Sequence, residues 1–214
     1  MDIDIIIPAR RGSKGIPEKN QLLLDHTLSK IPLEYHEKTI ITTDDEFLIN
    51  KIGHTYSECR IHHRSEKSAQ DTASVKECIA EVINDFSLNR DIIMLYLTYP
   101  NRDWQTIVDA YKWYTGNKSE SLLCREPIQD HPYLCMYEID KNKGRQIIEH
   151  DLYRRQDYPT CFRLSHMISI FNAAALKKLN KNLYNENTNF YRVPQSIDVD
   201  TYEDLRKFRD LYDS

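Results

Sequence analysis

The sequence predicts an α/β domain built on a doubly wound, mostly parallel sheet. Three observations carry this. Up to Thr115, strand, polar loop and helix repeat four times. The apolar runs 3–8 and 91–97 are nearly continuous, as in strands buried on both faces. The chain has 214 residues, which suits one such domain or one domain with a small appendage.

The first strand, residues 3–8, stops at Pro8 and opens into Ala9-Arg10-Arg11-Gly12-Ser13-Lys14-Gly15-Ile16-Pro17-Glu18-Lys19-Asn20. The chain has only five glycines, and two of them sit in this loop. Glycine lets backbone N–H groups turn toward an anion. Arg and Lys add charge, and Ser and Asn add neutral hydrogen bonds. Neither Gly-x4-Gly-Lys-Ser/Thr nor Gly-x-Gly-x-x-Gly is present, so this is not a Walker loop or a dinucleotide fingerprint. The bare alternative is a basic surface loop.

Residues 21–31 pack back on the sheet, where Pro32 limits any helix. The second strand is 38–43. Asp44 and Asp45 open a helix from 46 to about 52, by capping its N-terminus or, for Asp44, by facing a ligand at the sheet edge. Residues 60–63 form a short strand ending in surface histidines, His62 and His63. The polar loop 64–74 feeds a helix from about 74 to 86, capped by Asp71 or Thr72. Val75, Ile79, Val82 and Ile83 give it a buried face. Strand 91–97, loop 98–102 and helix 104–115 follow. Further strands are read at 121–125, 133–139, 167–171 and 190–194. A turn is read at 140–144, a helix at 173–179 and a terminal helix to about 211. Between 127 and 159 the pattern changes to strand-turn-strand with polar ends.

The net charge of -4 favours a local anion site over a nucleic-acid surface. No segment is long and apolar enough to span a membrane. Met1 is followed by Asp2 and Asp4 rather than a basic region, so no signal peptide is expected. Cys59, Cys78, Cys124, Cys135 and Cys161 are odd in number, widely spaced and free of any Cys-x-x-Cys pair. They read as reduced thiols of a cytoplasmic protein, not as disulfides or zinc ligands. Asp198 and Asp200 alternate in an extended segment, so both carboxylates face one side and can hold a hard divalent cation. The alternative is that one caps the last helix and the other is exposed.

The run Pro8-Ala9-Arg10-x-Gly12-Ser13-Lys14-Gly15-Ile16-Pro17-x-Lys19-Asn20 resembles the signature of the sugar cytidylyltransferases. Within them it is most similar to the CMP-sialic acid synthetases (acylneuraminate cytidylyltransferases). Arg64 followed by Asp71-Thr72-Ala73-Ser74 is similar to the family's second nucleotide segment. Thr98-x-Pro100-x-Arg102, and Arg154-Arg155-Gln156 with Phe162-Arg163, resemble two further segments. Ile197 to Leu205 matches the family's Ile-Asp-Ile-Asp-Thr-x-Glu-Asp-Leu almost residue for residue. The likeness covers nearly the whole chain and is weakest in 21–38.

The resemblance implies a Rossmann-like nucleotide-binding sheet in a single cytidylyltransferase domain, 1–214. It also implies an excursion at 127–159 that reaches a second subunit, hence a homodimer. Tyr133, Met136 and Tyr137 would suit that interface. The implied reaction is attack by a hydroxyl of an acidic 2-keto-3-deoxy sugar on the α-phosphorus of CTP, giving CMP-sugar and pyrophosphate. Arg10, Ser13, Lys14 and Lys19 would hold the phosphates. Lys14 and Lys19 would also offset charge on the leaving pyrophosphate. Asn20 would bond the cytosine or ribose, and Arg64 and Ser74 would reach the nucleotide. Asp198 and Asp200 would hold Mg2+ or Mn2+, with Arg10, Lys14, Lys19 and Asp200 as the catalytic set. Tyr96, Arg155, Gln156 and Arg163 would face the sugar.

The sugar half departs from the pattern. The family's loop glutamine falls on Tyr96, and the lysine after its His-Pro pair falls on Leu134. Phe-Arg-Pro-Asn-Gly becomes Phe162-Arg163-Leu164-Ser165-His166, and a later tyrosine becomes Ser169. Arg11 replaces a small or amide residue. Two alternatives therefore stay open. One is a different acceptor, another keto-acid sugar or a non-sugar compound. The other is a non-catalytic nucleotide-binding homologue.

Overall fold

The computed structural model describes residues 1–70 and 72–212. Its first half is the expected repeat: β1 (Ile3–Pro8), α1 (Lys19–Leu28), β2 (Thr39–Thr43), α2 (Glu46–Thr55), β3 (Arg60–His63), α3 (Val75–Asp85), β4 (Asp91–Met94) and α4 (Trp104–Gly116). The second half holds β5 (Ser121–Pro127), β6 (Met136–Asp140), β7 (Lys143–Gln146), β8 (Phe162–Asn172), β9 (Thr188–Arg192) and α5 (Tyr202–Tyr212). Seven strands form one sheet in the order β3-β2-β1-β4-β8-β5-β9. All pairings are parallel except the two made by β8. β6 and β7 form a separate hairpin.

The continuous apolar character of β1 has a direct cause. Ile5 and Ile7 enter the core on one face of the sheet and Ile6 enters the core on the other. From β1 the chain moves outward through β2 and β3, then returns to β4 on the opposite side of β1. The carboxyl ends of β1 and β4 therefore diverge into a crevice, the place where open α/β sheets bind ligands.

Several elements differ from the sequence reading, each for a local reason. α3 is capped by Ser74, not Thr72, because Ser74 and Glu77 complete a reciprocal capping box. Asp71 lies outside the described residues. His62 is buried rather than a surface residue: its ring bridges Thr42 Oγ1 at 2.9 Å and Asp85 Oδ2 at 3.1 Å. Residues 132–134 form a short 3₁₀ turn instead of strand, with the Tyr133 N–H donating to His131 Nδ1. Residues 173–178 are likewise 3₁₀. β4 is shorter than expected and β8 longer, because β8 turns from β4 to run along β5 as far as Phe162.

Phe171 is fully buried between β4 and β5. Phe171→Ala is expected to lower unfolding free energy by about 3–5 kcal/mol, read from urea melts; a loss below about 1 kcal/mol would contradict this packing.

Candidate active site

The loop after β1 is tied down through its backbone by both main-chain and side-chain donors. Ala9 N–H donates to Thr42 O at 2.9 Å, and Thr43 Oγ1 donates to Ala9 O at 2.6 Å. The Asn20 amide, in the first turn of α1, donates to Arg10 O at 2.7 Å. Gly12 takes φ +78°, a left-handed turn open to glycine without strain. The roles left open for the two aspartates after β2 divide. Asp45 caps α2 by accepting from Phe47 N–H, and Asp44 accepts from the Arg11 N–H at 2.8 Å. Asp44 thus shapes the loop.

The far end of the chain closes on this loop. Val199 N–H donates to Thr98 O at 2.8 Å, which pins the 198–200 segment beside the loop after β4. A methyl group on Gly15 would collide with the Asp200 carbonyl, so glycine is required by close approach. Lys19 Nζ pairs with Asp200 Oδ1 at 2.6 Å.

A cleft of about 350 Å³ lies over the carboxyl ends of the strands. Arg10, Ser13, Lys19, Asn20, Arg64, Ser74 and Tyr96 all line it. Lys14 is on the same loop, exposed, and outside the lining. Arg64 donates to the carbonyls of Thr42 and Ser68, and among the described residues no carboxylate pairs with it. Its charge lines the cleft, which suits an anionic ligand. The Ser74 hydroxyl is shared with its capping box. Burial pushes the Tyr96 hydroxyl up to about 12, so it stays a neutral donor.

Asp198 and Asp200 border this region. Burial, with the Asp200 charge adding, raises the Asp198 carboxyl against hydrogen bonds from Thr98 and Tyr99. Asp198 Oδ1 is enclosed without a partner. An orphaned carboxylate oxygen beside a second carboxylate fits a hard divalent cation. Among the described residues no group of three or more His, Cys, Asp or Glu could hold a metal. Such an ion would draw its other ligands from phosphate and water, as Mg2+ does.

The remaining sugar-facing candidates lie elsewhere. Arg155 and Gln156 are exposed in a 3₁₀ turn of the excursion and do not line the cleft. Arg163 pairs with Glu126 at 2.6 Å and borders a separate cavity with Cys135 and Gln195. Glu126 itself was not singled out in the sequence. It is fully buried and also accepts from Ser196. Burial alone would raise its carboxyl, but hydrogen bonds from Ser196, Ser165 and Arg163, with the Arg163 charge, hold it below the ordinary range. The available signal was its register: Leu122, Cys124 and Glu126 share the inward side of β5.

A family model described as Cytidylyltransferase matches residues 5–213. The chain is 27% identical over 211 residues to the N-acylneuraminate cytidylyltransferase of Streptococcus agalactiae serotype III (strain NEM316), covering 94% of this chain and 51% of that protein. It therefore spans about half the length of that relative. It is 28% identical over 219 residues to the CMP-N,N'-diacetyllegionaminic acid synthase of Legionella pneumophila, covering 94% and 92%. The solved structure of CMP:2-keto-3-deoxy-manno-octonic acid synthetase complexed with CTP superposes with a TM-score of 0.70 at 15% identity, covering 100% of this chain and 99% of the other, a likeness of fold.

Two outcomes are expected. Gly15→Ala is expected to lower the thermal midpoint, because backbone must move, and to weaken pyrophosphate binding about tenfold or more by calorimetry; an unchanged midpoint and unchanged binding would contradict the closure of 198–200 on the loop. The ionised Glu126 carboxyl stabilises the fold above its unfolded value of about 4.3, and this is lost as pH falls through its lower folded value. Glu126→Gln therefore flattens the acid limb of a stability–pH curve; an unaltered slope would show that Glu126 is not held as described.

Proposed function

The chain belongs to the cytidylyltransferase family, and from that premise we propose that it transfers CMP from CTP to a hydroxyl of an acidic 2-keto-3-deoxy sugar of the nonulosonate type, releasing pyrophosphate. The observation that carries this reading is the gathering of Arg10, Ser13, Lys19, Asn20 and Arg64 in one cleft beside Asp198 and Asp200. Relatives named for N-acylneuraminate and for N,N'-diacetyllegionaminic acid support an acidic sugar as acceptor.

In this reading Arg10, Ser13, Lys14 and the loop N–H groups grip the triphosphate. Asn20, Arg64 and Ser74 hold the base and ribose end. Lys19, fixed by Asp200, presents its charge where the pyrophosphate departs. When bound at Asp198 and Asp200, Mg2+ or Mn2+ supplies charge that offsets the phosphate oxygens. No side chain is alkylated or phosphorylated; catalysis is positioning and electrostatics.

The excursion supports a homodimer. Met136, Tyr137, Ile139 and Ile147 are all exposed on or beside the β6–β7 hairpin, while Tyr133 folds back onto the His150 ring, 4.4 Å between centroids. Free thiols support a cytoplasmic location. Among the described residues no helix is long and apolar enough to cross a membrane. A second reading keeps CTP and changes the acceptor; it is favoured by Tyr96 in the cleft and by Arg163 bound to Glu126 rather than open to a ligand carboxylate.

The test is pyrophosphate release from CTP and Mg2+ with a panel that includes N-acetylneuraminate and 3-deoxy-octulosonate. Turnover of one acidic sugar with CTP, and not with ATP, GTP or UTP, is expected. Silence across the panel contradicts the acceptor class, and equal use of other nucleotides contradicts the nucleotide. Asp200→Asn is expected to cut turnover about a hundredfold or more with the fold intact. Lys19→Ala should lower kcat; a change confined to the acceptor KM would remove Lys19 from the phosphates.

A further inference from the structure

β3 is an edge strand, paired only with β2. Arg64 follows it directly and lines the cleft. Its N–H donates to Thr43 O at 3.1 Å, which carries the ladder one residue further. Two carbonyls then aim the guanidinium. Nε donates to Thr42 O at 3.2 Å and Nη1 to Ser68 O at 3.4 Å. Thr42 belongs to β2, which has a strand on each side, so its carbonyl is fixed by the sheet. Ser68 belongs to a loop. Arg64 is therefore only as well placed as Ser68.

That loop has a hollow behind it. A second cavity, of about 340 Å³, is lined by Ser68, Gln70 and Ala73 on the loop and by Glu81 on α3. Ser68, Gln70 and Ala73 also line the first cleft, so the loop separates two open spaces. With space on both sides, its position depends on polar ties more than on packing.

The ties run to α3. Ser68 N–H donates to Ser65 Oγ at 3.1 Å, and Ser65 Oγ donates to Glu81 Oε1 at 2.8 Å. A hydroxyl that accepts on one side and donates on the other passes the constraint along. One helical turn beyond Glu81, Asp85 Oδ2 meets the buried His62 ring of β3 at 3.1 Å. The helix that carries both carboxylates is itself started by the Ser74–Glu77 capping box. α3 thus holds the chain just before Arg64 and just after it.

We propose that Glu81 is a positioning residue for the nucleotide: through Ser65 it fixes the Ser68 carbonyl that aims Arg64. This rests on the cytidylyltransferase reading above, in which Arg64 holds the base and ribose end of CTP. What the site uses is the acceptor oxygen of Glu81, not its negative charge.

The test is calorimetric binding of Mg2+·CTP and of pyrophosphate to the unaltered protein, Glu81→Ala, Glu81→Gln, Ser65→Ala, Arg64→Ala and the Glu81→Ala/Arg64→Ala double variant. Glu81→Ala is expected to weaken CTP about fivefold or more and to leave pyrophosphate, held by the loop after β1, within about twofold. Gln keeps an acceptor oxygen for Ser65, so Glu81→Gln binds CTP within about twofold of the unaltered protein. In the Arg64→Ala background, Glu81→Ala causes no further loss; independent, multiplying losses overturn the proposal. Tighter CTP binding in both Glu81 variants also overturns it, because that is the effect of removing a negative charge near an anion. Equal loss of CTP and pyrophosphate does the same, as the mark of a general defect. Ser65→Ala decides the matter by the same split if Glu81→Ala fails to fold. If the unaltered protein binds no CTP, the functional reading itself falls and takes this inference with it. CTP binding untouched by Glu81→Ala removes the inference alone.

Discussion

Lys19 and Asp200 lie 181 residues apart and meet at 2.6 Å. The active-site region depends on this closure. With Asp200 largely exposed, the pair contributes little stability by itself. Its importance is geometric. It sets the lysine at the rim of the loop after β1 and sets the Asp200 carboxylate against that loop. Gly15 permits the approach, and the Val199–Thr98 hydrogen bond holds the segment in depth. The helices at both ends of the chain reinforce it: Phe208 of α5 stacks edge-on with His26 of α1, 4.9 Å between centroids. One layer of core therefore carries both Lys19 and the segment that binds it.

The strands beyond the cleft are organised by buried charge. Arg102 ties a bulge in β8 to the loop after β4, and Glu126 ties Ser196 and Arg163 to β5. Neither group is spare. A buried charge left with fewer partners costs more than the pair contributes, so such residues fix one arrangement of the strands around them. The loop after β1, which keeps the family's motif, and the Phe162–His166 segment, which departs from it, rest on different strands and different polar anchors.

Much of this was legible in the sequence. The continuous apolar run 3–8 gave β1 because both faces of that strand are buried, and the loop after it reads as an anion seat because its residue types have few other uses together. Ser74, Asn20, Arg64 and Tyr96 were placed by motif, and the fold brings them into one cleft. The rest needed tertiary information. His62 reads as a strand-end residue because its partners, Thr42 and Asp85, come from elements 20 or more positions away. The β8 bulge leaves no mark in composition, since it is defined only by register against β5. The ion pair between Arg163 and Glu126 joins residues 37 apart in sequence, so a motif view of Arg163 as open to ligand missed its neighbour.

The most direct test of the central closure is a double-mutant cycle on Mg2+·CTP binding by calorimetry, using the unaltered protein, Lys19→Met, Asp200→Asn and the double variant. The account predicts that the two residues act as one unit, with an interaction energy of about 1 kcal/mol or more. Losses that add to within about 0.3 kcal/mol, or binding indifferent to both changes, would contradict it.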